Sequence, residues 1–106
     1  ELLKKGGELV CLIKPQFEAG REQVGKKGIV RDRDVHRQVI ENVIIYAVSN
    51  GLKPEELTFS PMTGAKGNIE YLLRAVNVPE GSFCDSEISK ETIGSVIGEA
   101  HLALQK

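Results

Sequence analysis

Glu8-Leu9-Val10-Cys11-Leu12-Ile13-Lys14-Pro15 is the stretch that decides the fold. Leu9 to Ile13 is an unbroken apolar run, short for a helix, and it fits a strand buried on both faces, as in a parallel sheet. Pro15 has no N–H to donate, so the ladder ends there. Lys14 therefore stands at the C-terminal end of a central strand, the place where open α/β sheets bind ligands. Within the run Cys11 reads as a small buried hydrophobe.

Upstream, Glu1-Leu2-Leu3-Lys4-Lys5-Gly6-Gly7 has the marks of a helix's last turn, with lysines where the dipole favours cations and glycine at the stop. The first residue is Glu1 rather than Met, and sequence upstream of it is expected. Downstream, residues 16–31 form a long polar loop with Gly20, Gly25 and Gly28. Asp32 or Asp34 caps a helix over about 33–50, in which Val35, Val39, Ile40, Val43, Ile44, Ala47 and Val48 recur at helical spacing before Gly51. Leu57 to Ser60 is a second strand, with Pro54 ending the linker before it. The stretch from Ser60 to Asn68 is rich in turn residues, Gly64 and Gly67 among them. Ile69 to Val76 is a third strand, antiparallel to its neighbours. Asp85, Ser86 or Ser89 caps a last helix with Ile93, Val96, Ile97, Ala100 and Leu104 on its apolar face; Gly94 and Gly98 weaken it and suit close packing.

The order strand, helix, strand, strand, helix has too few strands for a complete doubly wound sheet. At 106 residues the chain is one small domain or part of a larger one. Its composition, 41% hydrophobic and 27% charged, is that of a globular protein rather than a disordered one. A net charge of −1 does not by itself demand nucleic acid. No apolar stretch approaches a membrane span, and two cysteines without a dense framework point to a reduced, cytoplasmic setting.

The string Leu12-Ile13-Lys14-Pro15-Gln16-Phe17-Glu18-Ala19-Gly20-Arg21 closely resembles a signature of the hemolysin A (TlyA) family. Val24-Gly25-Lys26-Lys27-Gly28-Ile29-Val30-Arg31-Asp32, Val35-His36, Ser60-Pro61 and Gly67-Asn68-Ile69-Glu70-Tyr71-Leu72 match in the same order, so the resemblance covers about residues 8–76. It implies the C-terminal half of a class I, Rossmann-like methyltransferase domain of the FtsJ-like branch, a mixed α/β sheet with a terminal antiparallel strand, usually behind an S4 RNA-binding domain. It also implies S-adenosylmethionine as methyl donor and a ribose 2′-hydroxyl of ribosomal RNA as acceptor. FtsJ-like enzymes resemble one another in a Lys-Asp-Lys-Glu tetrad, in which Lys14 looks like the second lysine and Glu70 like the glutamate. The first lysine, the aspartate and the glycine-rich cofactor loop are not in this sequence, so the 106-residue chain alone is expected to be inactive.

The chemistry suits those residue types. A ribose hydroxyl is a poor nucleophile near neutral pH; a lysine stabilises the developing alkoxide or accepts its proton, and a carboxylate orients that lysine. Each residue also has a plain alternative. Lys14 alone is a solvated charge at a strand end, and Glu70 an exposed strand residue or a partner for Arg74. Phe17 stacks on a target base or closes the core under a loop. Arg21, Lys26, Lys27, Arg31 and Arg33 contact RNA phosphates or form a solvated loop diluted by Asp32 and Asp34. His36, on the polar side of its helix, and His101 lack the partners of a metal site. A different class of function stays open as well: a non-catalytic RNA- or protein-binding module, or a membrane-active hemolysin.

Overall fold

The computed structural model describes residues 7–18, 30–64, 67–78 and 85–104. Its elements are β1 (Glu8–Ile13), α1 (Pro15–Glu18), α2 (Arg33–Ser49), β2 (Leu52–Phe59), β3 (Tyr71–Asn77) and α3 (Lys90–Leu104). The expected helical turn before Gly7 lies outside the described residues.

The strands form one sheet in the order β1-β3-β2, with β3 antiparallel to both neighbours. This is the arrangement expected for the three segments. In β3, Tyr71, Leu73 and Ala75 are fully buried and alternate with partly exposed Leu72, Arg74 and Val76, so one face of the sheet meets the core. Facing them across the ladders are Ile13, Cys11 and Leu9 on β1, and Phe59, Leu57 and Pro54 on β2. The helices α2 and α3 cover this face. Val39, Ile40 and Ile44 from α2 and Ile93, Val96, Ile97 and Ala100 from α3 join one apolar cluster with Leu57, Tyr71 and Leu73. Truncating a fully buried member such as Ile40 or Leu73 to alanine costs roughly 2–5 kcal/mol.

Three details differ from the reading of the sequence. First, β1 is an edge strand of the described sheet, not a central one: Val10 is 60% exposed and Leu12 46%. Five apolar residues in a row signal burial on both faces, but only the helices' face has a cover within the described residues. Secondly, β2 starts at Leu52, so Pro54 lies inside a strand rather than ahead of it. It is tolerated because β2 is the other edge and a bulge between Pro54 and Glu56 interrupts the ladder. Thirdly, Pro15 does more than end β1. It opens α1, where its missing N–H is no loss.

The helix limits follow local chemistry. Asp32 caps α2, its side chain accepting from the Asp34 N–H, and Gly51 takes φ +77° just beyond the C-cap. Ser89 precedes α3, and its Oγ accepts from the Thr92 N–H at 3.1 Å. Gly94 faces only the flexible end of the Arg37 side chain and around Gly98 there is open space, so packing requires a glycine at neither position. No helix among the described residues is long and apolar enough to cross a membrane.

Candidate active site

The site is built where β1 ends and β3 begins. Ile13 pairs with Tyr71, the last rung of the ladder. Lys14 and Glu70 are the next residues outward on the two strands, so the register alone brings them to the same end of the sheet. On one side Pro15 is fully buried, and α1 turns the chain at once, with the Phe17 N–H donating to the Lys14 carbonyl at 2.9 Å. On the other side the chain from Ser60 to Glu70 closes on itself. The Ser60 N–H donates to the Glu70 carbonyl at 2.8 Å, and the Gly64 N–H to the Asn68 carbonyl at 2.7 Å.

Glu70 is 6% exposed, a buried carboxylate rather than a solvated strand residue. The Gln16 Nε2 donates to its Oε2 at 3.1 Å. Gly64 lies against it so closely that a Cβ there would fall on the carboxylate. Gly64 is therefore more than a turn glycine: its missing side chain is the space Glu70 occupies. Gly67 adopts φ +84°, the left-handed conformation that glycine takes without strain, which lets the turn close. Arg74 is not a partner of Glu70; it binds Glu8, Glu55 and Glu56 instead.

Lys14 is half-buried, and its ammonium lies 5.4 Å from the centroid of the Phe17 ring. Among the described residues it forms no ion pair with Glu70. Phe17 is 71% exposed, so it does not close the core. The ring stands at the surface with a cation over it. Arg31 and Arg33 are exposed just before and at the start of α2. Arg21, Lys26 and Lys27 lie outside the described residues.

A second set of side chains ties this end of the sheet to α2 and α3. His36 is fully buried, not on a polar helix face. Its Nε2 donates to the Val30 carbonyl at 2.8 Å. A neutral ring with its proton there accepts at Nδ1, so the Tyr71 hydroxyl donates to it, at 2.7 Å. The Val30 N–H in turn donates to Asn68 Oδ1 at 2.8 Å. His101 packs beside His36 with ring centroids 4.9 Å apart; its Nδ1 donates to the Ile97 carbonyl at 2.9 Å and its Nε2 lies 3.3 Å from the Arg31 carbonyl. Burial holds the His36 ring below the ordinary histidine range, against a smaller opposing pull from the Val30 carbonyl. Burial also pushes the Tyr71 hydroxyl well above the usual tyrosine value. Both groups thus stay neutral near pH 7, as a buried hydrogen-bonded pair requires.

Gln16, Asn68, Tyr71 and the burial of His36 are not apparent from residue types alone. A glutamine next to a proline carries no chemical signal, and the His36–Tyr71 contact spans 35 positions. What marked Gln16, Asn68 and Tyr71 was membership of the two strings around Lys14 and Glu70; His36 lies in a separate matching piece, Val35-His36.

Residues 2–76 match the FtsJ-like methyltransferase family. Over 105 residues the chain is 47% identical to YqxC of Bacillus subtilis, named as a supposed rRNA methyltransferase, covering 99% of this chain and 37% of that protein. Over 69 residues it is 36% identical to the 16S/23S rRNA (cytidine-2′-O)-methyltransferase TlyA of Mycobacterium tuberculosis, covering 65% of this chain and 26% of that one. A solved structure of a supposed hemolysin from Streptococcus thermophilus superposes with TM-score 0.86 at 40% identity, covering 96% of this chain and 35% of that chain. The matches thus cover between about a quarter and little more than a third of the length of these curated relatives. With the family matched across β1, α2, β2 and almost all of β3, the strands that carry Lys14 and Glu70 included, this chain belongs to the FtsJ-like methyltransferases.

Proposed function

We propose that this chain supplies the C-terminal part of a Rossmann-like methyltransferase domain that transfers a methyl group from S-adenosylmethionine to a ribose 2′-hydroxyl of ribosomal RNA in the cytoplasm. Lys14 and Glu70 are its contribution to the active site. One observation carries the reading: the two residues follow the last Ile13–Tyr71 rung of the sheet, and the carboxylate is buried in a space left by Gly64.

The glycines described here lie in turns (Gly51, Gly64, Gly67) or within α3 (Gly94, Gly98), apart from Gly7 ahead of β1. None joins a strand end to a helix N-terminus, the arrangement that lets backbone approach a nucleotide. The roles that follow from these residues are those toward the acceptor. A hydroxyl losing its proton develops negative charge on oxygen. The Lys14 ammonium stabilises that charge, or the neutral amine takes the proton. Glu70, fixed in a site poor in water, opposes the lysine's charge and sets its direction. Phe17, exposed beside Lys14, offers a ring face to the target base; Arg31, with Arg21, Lys26 and Lys27 earlier in the sequence, offers charge to phosphates.

The test is transfer of labelled methyl groups to ribosomal RNA by the complete methyltransferase. Lys14→Ala and Glu70→Ala each lower kcat by about 10²- to 10⁴-fold, the usual scale for losing a proton-transfer group. Lys14→Arg fails too if the lysine gives up a proton, because guanidinium stays charged. The 106-residue chain alone transfers nothing. Near-normal turnover in Lys14→Ala or Glu70→Ala would remove that residue from the mechanism.

A further inference from the structure

Gln16 is the direct side-chain link between the turn that carries Lys14 and the carboxylate of Glu70. Its Nε2 is committed to Glu70 Oε2. Its Oε1 is buried and has no hydrogen-bond partner, the one such side-chain atom among the described residues. A buried carbonyl oxygen left without a donor is costly, and native proteins rarely retain one without a reason. The orientation of the amide is itself fixed: turned over, Oε1 would face the Glu70 carboxylate, oxygen against oxygen. The atom is shielded from solvent. Lys14, two residues away, carries three N–H donors, and its ammonium lies over the exposed Phe17 ring.

Resting on the methyltransferase reading above, we infer that Gln16 is a positioning residue that joins the two halves of the site. Through Nε2 it holds Glu70 in the space that Gly64 leaves. Through Oε1 it receives the Lys14 ammonium when a nucleobase takes Lys14's place on the Phe17 ring. The same planar contact that seats the RNA thereby sends the lysine toward the carboxylate. With the lysine over the ring the oxygen is unpartnered.

The experiment compares Gln16→Met and Gln16→Glu with wild type in the complete methyltransferase. Methionine keeps the size and removes both hydrogen bonds. Gln16→Met lowers kcat by up to about 100-fold, the cost of a small misplacement of reacting groups, with KM for RNA within about twofold and the melting temperature little changed. In Gln16→Glu two carboxylates face each other, which raises their affinity for a proton. When that proton binds, an O–H···O bond replaces the amide's N–H···O bond. The ratio of Gln16→Glu to wild-type kcat therefore rises as pH falls from about 8 to about 5.5. A glutamine that only filled space would give no such pH-dependent ratio. Wild-type kcat in Gln16→Met, or a flat ratio, with Glu70→Ala inactive, would overturn the inference and leave the function standing. Full turnover in Glu70→Ala would remove Glu70 from the mechanism and the inference with it, whereas no methyl transfer by the wild-type enzyme would overturn the function on which it rests.

Discussion

Glu70 and Arg74 stand four residues apart on and just before β3, and their surroundings are opposite. Glu70 is enclosed: one side-chain donor from Gln16, a glycine where a side chain would collide, and buried Asn68, Ile69 and Tyr71 on either side. Arg74 lies on the face of the sheet away from the helices and holds three carboxylates, Glu56 Oε1 at 2.8 Å, Glu55 Oε1 at 3.1 Å and Glu8 Oε2 at 3.2 Å. Those ion pairs hold the guanidinium more firmly protonated, the hydrogen bond to Glu56 contributing most. The bulge between Pro54 and Glu56 is what lets two consecutive glutamates reach one arginine. The richer charge cluster is thus the solvated one, and the sparse cluster is the enclosed one. Ion pairs exposed to water contribute little, while a buried carboxylate is retained only where something requires it.

Enzymatic turnover should separate the two clusters most sharply. Glu70→Ala lowers methyl transfer by about 10²-fold or more, whereas Arg74→Ala leaves kcat within about twofold. Equal losses in both variants would erase the distinction.

Gly64→Ala comes next. The added methyl group displaces the Glu70 carboxylate, so kcat falls by up to about 100-fold even though no chemical group is lost. A fully active Gly64→Ala protein would show that the enclosure of Glu70 is incidental.

The buried His36–Tyr71 pair sharpens the comparison through stability. Tyr71→Phe leaves the His36 Nδ1 without its donor and costs about 1–3 kcal/mol in a denaturant melt. The pH dependence follows from the lowered affinity of His36 for a proton. Below its ordinary value of 6.5 the unfolded chain binds a proton that the folded chain refuses. Stability attached to His36 is therefore complete above that pH and is lost as pH falls from there toward the lower folded value. The groups around the ring are His101, which opposes protonation, Asp32, which favours it, and the Val30 carbonyl. A melting temperature independent of pH between about 7 and about 5 would contradict this assignment.

The smallest effect is expected on the open face. Arg74→Ala lowers the melting temperature slightly at low salt, and the difference from wild type shrinks as salt rises. A large loss that persists in high salt would mean the exposed cluster stabilises the fold far more than its exposure implies.

Much of the architecture follows from local chemistry in the chain itself. Leu9 to Ile13 before Pro15, the alternation from Tyr71 to Val76 and the cap-to-glycine span from Asp32 to Gly51 each specify an element, because strand period, helix period and capping act over a few residues. That Lys14 and Glu70 stand at the same end of the sheet was also legible, since strand ends that pair antiparallel bring the exit of one beside the entry of the next. Only the tertiary structure decided the rest. A run of apolar residues cannot report whether both its faces find a cover, and β1 has one side exposed. A histidine's place on a helix cannot report that a tyrosine 35 positions on will take its Nδ1. A turn glycine looks the same whether its empty side faces water or a carboxylate. Each of these depends on what another part of the chain puts opposite, and burial, hydrogen bonding and close approach are properties of pairs that the fold alone brings together.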